Sequence, residues 1–165
     1  IERCLDINLK GVLFGAQAAL PHLKKTAPGS CLLNTASAAG IYGTSGASVY
    51  SATKFGVRAI TESLDAEWAE YGINVRSIMP SFIDTPLINH NPNDRSNASI
   101  REQVLSSGLE ITPVSEVGEA AWQAVHGDKL HTTVGKTAKR VAFAARWMPG
   151  KMRKEARKRA ALGVD

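Results

Sequence analysis

The sequence has 165 residues, of which 44% are hydrophobic, and a formal net charge of +5. This is enough for one soluble globular core, and no apolar stretch reaches the roughly 18 residues that cross a bilayer, which excludes a transmembrane helix. The first residues do not resemble a secretion signal. The two cysteines, Cys4 and Cys31, have neither zinc-site spacing nor the number that a disulfide framework needs. We therefore expect a cytoplasmic domain without a metal, with both cysteines reduced and buried.

The first half of the chain alternates helical and extended patterns. Apolar residues recur about every four positions from Ile1 to Leu20, as on one face of a helix, and Pro28-Gly29 stops that pattern. A short apolar run then suits a strand buried on both faces. In chain order we predict a helix over 2–23, a strand over 31–35, a second long helix over 49–71 closed by Gly72, and a strand over 73–79.

The second half begins with a polar segment and ends in a basic tail. Residues 81–107 are rich in Asn, Pro, Asp and Ser, which predicts a long loop with one short helix, a type of segment that often binds ligands. Helices alternating with apolar strands are typical of a doubly wound parallel sheet of the α/β class. The remaining predicted elements are a helix over 115–126, a strand over 131–135 and a helical tail from 137, broken at Pro149-Gly150.

The positive charge is concentrated in the tail. Residues 136–165 contain ten Lys or Arg and two acidic residues, whereas residues 1–135 carry a net charge of −3. Such a run is most often a solvated helix face. Weak contact with an anionic membrane surface is the alternative, because Phe143, Trp147 and Met148 precede the run. Nucleic-acid binding is not expected, since no aromatic stacking platform occurs elsewhere.

The strongest chemical signal is the segment YSATK at 50–54. Tyr50 and Lys54 are four residues apart at the start of a helix, so they share a face. An ammonium beside a phenol favours the phenolate and lowers its pKa, which prepares the hydroxyl to exchange a proton with a substrate oxygen. Ser37 follows the strand over 31–35, at the sheet edge where α/β proteins bind ligands. By itself the spacing is weak evidence, and a solvated Tyr beside a Lys is the alternative.

Taken together, NTASAAG at 34–40 and YSATK at 50–54 resemble the active-site region of the short-chain dehydrogenase/reductase family. INLKG at 7–11, INVRSIMP at 73–80 and Thr85-Pro86 extend the resemblance, which covers about residues 1–135. It implies a Rossmann-like fold. It also implies an oxidoreductase that transfers a hydride between NAD or NADP and a secondary alcohol/ketone pair.

The resemblance also implies residue roles. Tyr50 would be the general acid/base, Ser37 would orient the substrate, and Lys54 would both lower the pKa of the phenol and bind the ribose. Asn8 would hold a proton-relay water, and an Asn within a helix is otherwise unfavourable. The implied cofactor-binding residues are Tyr50, Lys54, Pro80, Ile83 and Thr85. The implied substrate-binding residues are Ser37, Ala38, Ile41, Tyr50 and Phe82.

Two departures from the family pattern bear on these expectations. Ser81 follows Pro80 where the family usually has Gly, and no Gly-x-x-x-Gly-x-Gly turn, which holds the pyrophosphate in the family, occurs in the chain. We therefore expect a C-terminal catalytic portion over 1–135 with a basic helical extension over 136–165. Its sheet would be incomplete because the first strands and helices are missing, and the chain alone should bind NAD(P) poorly. A non-catalytic scaffold or interaction fragment is the alternative.

The resemblance implies assembly as well. Family members commonly pair their two long helices across a twofold axis, which here predicts a homodimer or homotetramer through helices 2–23 and 49–71. Small residues on the second of these helices, among them Gly56, would permit close approach.

Overall fold

The fold is a three-stranded parallel sheet with helices on both faces, seen in a computed structural model that describes residues 1–90 and 98–161. The strand order is β1-β2-β3, and each crossover runs through a helix. Cys31 pairs with Asn74 and Thr35 with Ile78, while Ser77 pairs with His131. The predicted parallel α/β class is therefore confirmed. The strands are Cys31–Thr35 (β1), Asn74–Pro80 (β2) and His131–Val134 (β3).

The helices lie within three residues of most of the predicted bounds. They are Glu2–Leu5 (α1), Gly11–Thr26 (α2), Ser48–Trp68 (α3), Ile100–Ser106 (α4), Val114–His126 (α5), Lys136–Trp147 (α6) and Pro149–Ala161 (α7). A π-helical turn, Asp6–Lys10, joins α1 to α2. Gly72 ends the α3 segment in the left-handed conformation, at φ 69°, as predicted. Pro149 starts α7, where its missing N–H is no loss.

The core lies on both faces of β2. Val75 and Met79 pack toward α2 and α3, and Ile78 packs on the opposite face against α5. The prediction that β1 is buried on both faces is wrong, because only Asn34 of this strand is buried. Among the described residues β1 has one neighbouring strand, so its outer edge lacks the cover that β2 receives from both sides.

A buried ion pair fastens α3 to β2. Arg76 is 9% exposed, and its Nη1 donates to Asp65 Oδ1 at 2.6 Å. The same carboxylate oxygen accepts the Val75 N–H at 3.0 Å, and Asn74 Oδ1 accepts Arg76 Nη2 at 3.0 Å. One carboxylate thus serves both a buried cation and a strand N–H.

The polar segment after β2 is more ordered than a long loop would be. It contains a 3-10 turn at Pro86–Asn89 as well as α4, which starts with a capping box between Ser99 and Glu102. Arg101 donates to Asn89 Oδ1 at 2.8 Å and also pairs with Asp84. These contacts hold the two described halves of the segment together. Residues 91–97 of the predicted loop lie outside the described part of the chain.

The cysteines are not buried as predicted, since Cys4 and Cys31 are both partly exposed. Cys31 lies on β1, the edge strand of the described sheet, and Cys4 lies on α1, a helix without a buried residue. Burial raises the pKa of the Cys31 thiol, Arg76 opposes that shift, and Asp65 adds to it. Within residues 1–90 and 98–161, no helix combines the length and apolar character needed to cross a bilayer.

Candidate active site

The candidate site begins where β1 and β2 end side by side. The Ala36 N–H donates to the Ile78 carbonyl at 2.9 Å, which continues the sheet beyond Thr35. Ser37 follows directly, is 8% exposed, and accepts the Ala39 N–H on its Oγ at 3.2 Å. The same Oγ lies 3.5 Å from the Pro80 carbonyl oxygen. The structure therefore brings Ser37 and Pro80 together at the carboxyl edge of the sheet.

The first turns of α3 bring Tyr50 and Lys54 to this edge. Lys54 Nζ donates to the Thr35 carbonyl at 2.9 Å and lies 5.6 Å from the centroid of the Tyr50 ring. The Tyr50 side chain is 39% exposed, so a substrate can reach it. Ser51 Oγ accepts the Thr44 N–H at 3.0 Å, which ties the start of α3 to the preceding loop. Lys54 thus links the end of β1 to the phenol of α3.

A glycine permits this close approach. A Cβ at Gly40 would lie 2.6 Å from the Lys54 carbonyl oxygen, a backbone atom that cannot give way. Gly43, three residues later, has nothing within 4 Å of such a Cβ. Gly40 therefore sets the distance between the turn that carries Ser37 and the helix that carries Lys54.

The π-helical turn places Asn8 beside the same helix. Asn8 Nδ2 donates to Cys4 Sγ at 3.4 Å. Burial lowers the pKa of the Lys54 ammonium, and the nearby Cys4 partly opposes that shift. Asn8 and Lys54 thus share Cys4 as a neighbour. Single π turns within helices occur often at functional sites.

The other predicted residues fall into two groups. Ala38 lies in the 3-10 turn after Ser37, whereas Ile41 packs against the core cluster that contains Met79. The segment after β2 pairs with Thr112, whose N–H donates to the Phe82 carbonyl at 2.8 Å and which forms an isolated bridge with Ile83. The Thr85 N–H turns back to the Ile83 carbonyl at 2.8 Å. Phe82, Ile83 and Thr85 therefore continue from Pro80 along one edge, and Ile41 lies partly exposed beside the core cluster.

Two hydroxyls at this edge were not predicted. Ser81 Oγ and Thr112 Oγ1 are buried and have no hydrogen-bond partner among residues 1–90 and 98–161. Both lie next to Gly135, where φ is 85°. A Cβ at this glycine would lie 2.6 Å from Thr112 Oγ1 and 3.6 Å from Ser81 Oγ. Nearby, the Glu110 carboxylate accepts the N–H groups of Lys136 and Thr137 at the start of α6. The sequence contains no signal for this cluster, because its members come from segments far apart in the chain.

These features define a class of protein. A parallel α/β sheet carries Ser, Tyr and Lys side chains at the carboxyl ends of its strands, which is where nucleotide-dependent enzymes of this architecture bind their ligands. The chain belongs to the short-chain dehydrogenase family, since the family model described as short chain dehydrogenase matches residues 1–96. This is a family of NAD(P)-dependent oxidoreductases.

Known relatives agree with this assignment. An uncharacterized oxidoreductase of Staphylococcus aureus is 44% identical over 95 residues, which are 57% of this chain and 41% of that protein. An uncharacterized oxidoreductase of Staphylococcus epidermidis is 45% identical over 86 residues, which are 52% and 37% of the two chains. The chain thus spans less than half the length of these curated relatives.

Solved structures show the same fold. A short-chain dehydrogenase from Burkholderia cenocepacia in complex with NADP superposes with a TM-score of 0.76 at 21% identity, over 92% of this chain and 56% of that one. A short-chain dehydrogenase from Streptomyces avermitilis superposes with a TM-score of 0.68 at 21% identity, over 96% and 60%. At this identity the likeness concerns the fold.

Proposed function

We propose that the protein transfers a hydride between NAD or NADP and a secondary alcohol/ketone pair, with Tyr50 as the general acid/base. The observation that carries this proposal is the placement of Lys54, whose ammonium lies between the Thr35 carbonyl and the Tyr50 ring. A cation in that position stabilises the phenolate that remains after proton transfer. The exposure of Tyr50 leaves the phenol accessible to a substrate oxygen.

The proton step uses the residues of this chain. In the direction of reduction, the Tyr50 hydroxyl gives its proton to the carbonyl oxygen while the Ser37 hydroxyl donates a hydrogen bond to the same atom. A nicotinamide held at this edge would supply or accept the hydride at the carbonyl carbon. Asn8 holds a water that returns a proton toward the site. Oxidation of the alcohol follows the reverse sequence.

The residues at the sheet edge fit the nicotinamide end of the cofactor. Lys54 has ammonium protons beyond the one given to Thr35 and can donate to ribose hydroxyls. Pro80, Ile83 and Thr85 supply backbone and hydroxyl groups for the carboxamide. A carboxamide both donates and accepts, which also suits the Ser81 and Thr112 hydroxyls, since neither has a hydrogen-bond partner within the described part of the chain. The Gly-rich turn that would hold the pyrophosphate does not occur in this chain.

A cytoplasmic location of the protein stays a prediction.

The proposed substrate side is apolar. Ala38, in the turn after Ser37, and Phe82, after β2, are both partly exposed and can contact a substrate next to Tyr50. Ile41, the third predicted contact, is also partly exposed and packs against the core cluster that contains Met79. The segment 81–112, with its described contacts between Arg101 and Asn89, would set the size of the substrate.

The first test is cofactor binding and turnover by the complete gene product. We expect fluorescence titration to show saturable binding of NADH or NADPH, and a panel of ketones to cause loss of the reduced cofactor. Residues 1–165 alone should bind weakly, since the family's pyrophosphate turn does not lie within them. Absence of both binding and turnover in the complete product would instead support a non-catalytic scaffold.

We also propose that the protein forms a homodimer or homotetramer through helices 2–23 and 49–71. Exposed apolar side chains support this assembly, with Ile7 at 62%, Phe14 at 65% and Phe55 at 41% exposure. A Cβ at Gly56 would lie 2.6 Å from Cδ1 of Leu9 in the same chain, so Gly56 also permits close packing within the protomer. Its predicted role at the interface stays a prediction.

Sedimentation velocity tests the assembly. In the complete gene product, Phe14→Ser combined with Phe55→Ser should at least halve the particle mass, because two exposed apolar anchors are removed. The matched control is Leu87→Ser combined with Leu105→Ser, at sites that are 70% and 58% exposed outside these helices. An unchanged mass in the Phe variant, or an equal loss in the control, would contradict this interface.

A further inference from the structure

Helix α6 carries aromatic side chains on its outward face. Phe143 is 59% exposed and Trp147 is 66% exposed, whereas Ala138 on the opposite face is fully buried. Lys139 and Arg140 share the outward stripe with these aromatics at helical spacing. A surface helix usually presents mainly charged and polar residues outward. The outward stripe of α6 is therefore both basic and aromatic.

A groove between α6 and α7 extends this surface. Its volume is about 480 Å³, and it is open to solvent. Its apolar part is formed by Phe143, Met148 and Met152. Its charged lining consists of three cations, Lys139, Arg140 and Lys151, and one acidic residue, Glu155. An apolar groove with mainly cationic edges matches an amphiphile that has a hydrocarbon part and an anionic head.

The charged residues of these two helices are almost all positive. Within residues 136–161 there are ten Lys or Arg and a single acidic residue, Glu155, whereas residues 1–135 carry a net charge of −3. Arg153, Lys154 and Arg157 of α7 are exposed. The positive charge is thus concentrated in the two helices that also carry the exposed Phe143 and Trp147, and we call their outward side the α6–α7 surface.

We propose that the α6–α7 surface docks on an anionic lipid bilayer. Its Lys and Arg side chains would contact the lipid headgroups, and Phe143, Trp147 and Met148 would enter the interfacial region. Trp suits that position because its ring is apolar while its N–H stays hydrated. Apolar burial and electrostatic attraction are the two contributions that hold interfacial helices on membranes.

The apolar component distinguishes a bilayer from a nucleic acid. A phosphate backbone needs cations but gains nothing from a groove lined by two methionines. A bilayer uses both the cations and the groove.

Docking is also independent of the proposed dehydrogenase activity, because no group of the candidate active site takes part in it.

Flotation of the complete gene product with vesicles tests this proposal. Vesicles of phosphatidylcholine with about 30% phosphatidylserine should carry the protein upward at about 0.1 M salt, and pure phosphatidylcholine should carry much less. Lys151→Glu combined with Lys154→Glu should weaken binding about tenfold or more. The control, Lys25→Glu combined with Lys129→Glu, changes two exposed lysines elsewhere and should bind like the unmodified protein.

Two tryptophan variants test the apolar contribution to vesicle binding. Trp147→Ser should weaken vesicle binding about threefold or more and abolish the blue shift of tryptophan emission on binding. Trp122→Ser should retain both, although Trp122 is 65% exposed, nearly the same as Trp147. The proposal would be overturned if the Trp147 and Trp122 variants lost vesicle binding equally. It would also be overturned if the protein bound neutral and anionic vesicles equally, or did not float with vesicles at all. Binding to duplex DNA without flotation would also overturn it and would assign the surface to nucleic acid.

Discussion

Tyr50→Phe should lower ketone reduction by the complete gene product by about 10²- to 10⁴-fold while leaving binding of the reduced cofactor unchanged. The substitution removes the hydroxyl that we propose to exchange the proton and keeps the ring that lies beside Lys54. Initial rates over a range of ketone concentrations, together with a fluorescence titration of NADH or NADPH, measure the two effects separately. The loss should appear in kcat.

The matched control for this prediction is Tyr71→Phe. Tyr71 is 37% exposed, close to the 39% of Tyr50, and it also has an ammonium over its ring, that of Lys24 at 3.3 Å. It lies at the end of the α3 segment, away from Ser37 and the carboxyl edge of the sheet. Its substitution should leave turnover within about twofold. A Tyr50→Phe protein with normal turnover would exclude Tyr50 as the acid/base.

Asp65→Ala should lower the free energy of unfolding by about 3 kcal/mol, since it leaves the buried Arg76 guanidinium without its carboxylate partner. The Val75 N–H would lose its acceptor in the same change. Urea unfolding of the complete gene product, followed by far-UV circular dichroism, measures the effect as a lower midpoint. The candidate active site lies at the other end of β2, so cofactor binding by the folded variant should persist.

Two further variants show whether the buried charge is the cause. Asp6→Ala removes an exposed carboxylate, 53% accessible and 2.7 Å from Lys10, and should change stability by no more than about 0.5 kcal/mol. Arg76→Met in the Asp65→Ala background should recover part of the lost stability, because the unpaired cation is gone. If the double variant is less stable than Asp65→Ala alone, desolvation of Arg76 is not the main penalty.

Local patterns determined much of the fold. The predicted strand over 31–35 matches β1, and the predicted helix over 115–126 differs from α5 by one residue. Hydrophobic periodicity and the effects of Gly and Pro depend on neighbouring residues, so they can be recognised without knowing the rest of the chain. The shared face of Tyr50 and Lys54 follows from helix geometry in the same way.

Other features depended on contacts between distant segments. The partial exposure of β1, which was expected to be buried, follows from its position at the edge of the described sheet. The π turn that holds Asn8 and the packing of Ile41 beside Met79 are likewise set by what lies against them. An apolar residue predicts burial, but it does not predict which neighbour will cover it.

The sequence by itself thus determined the order and type of the main helices and strands and indicated the residues that we propose to carry chemistry, because each of those signals lies within one segment. Only the tertiary structure decided that Lys54 meets the Thr35 carbonyl and that Ser81 and Thr112 surround Gly135. It also decided that Phe143 and Trp147 face outward beside the basic residues. Those positions depend on how the crossover helices pack on the sheet, and many long-range contacts must form together before any one of them is set.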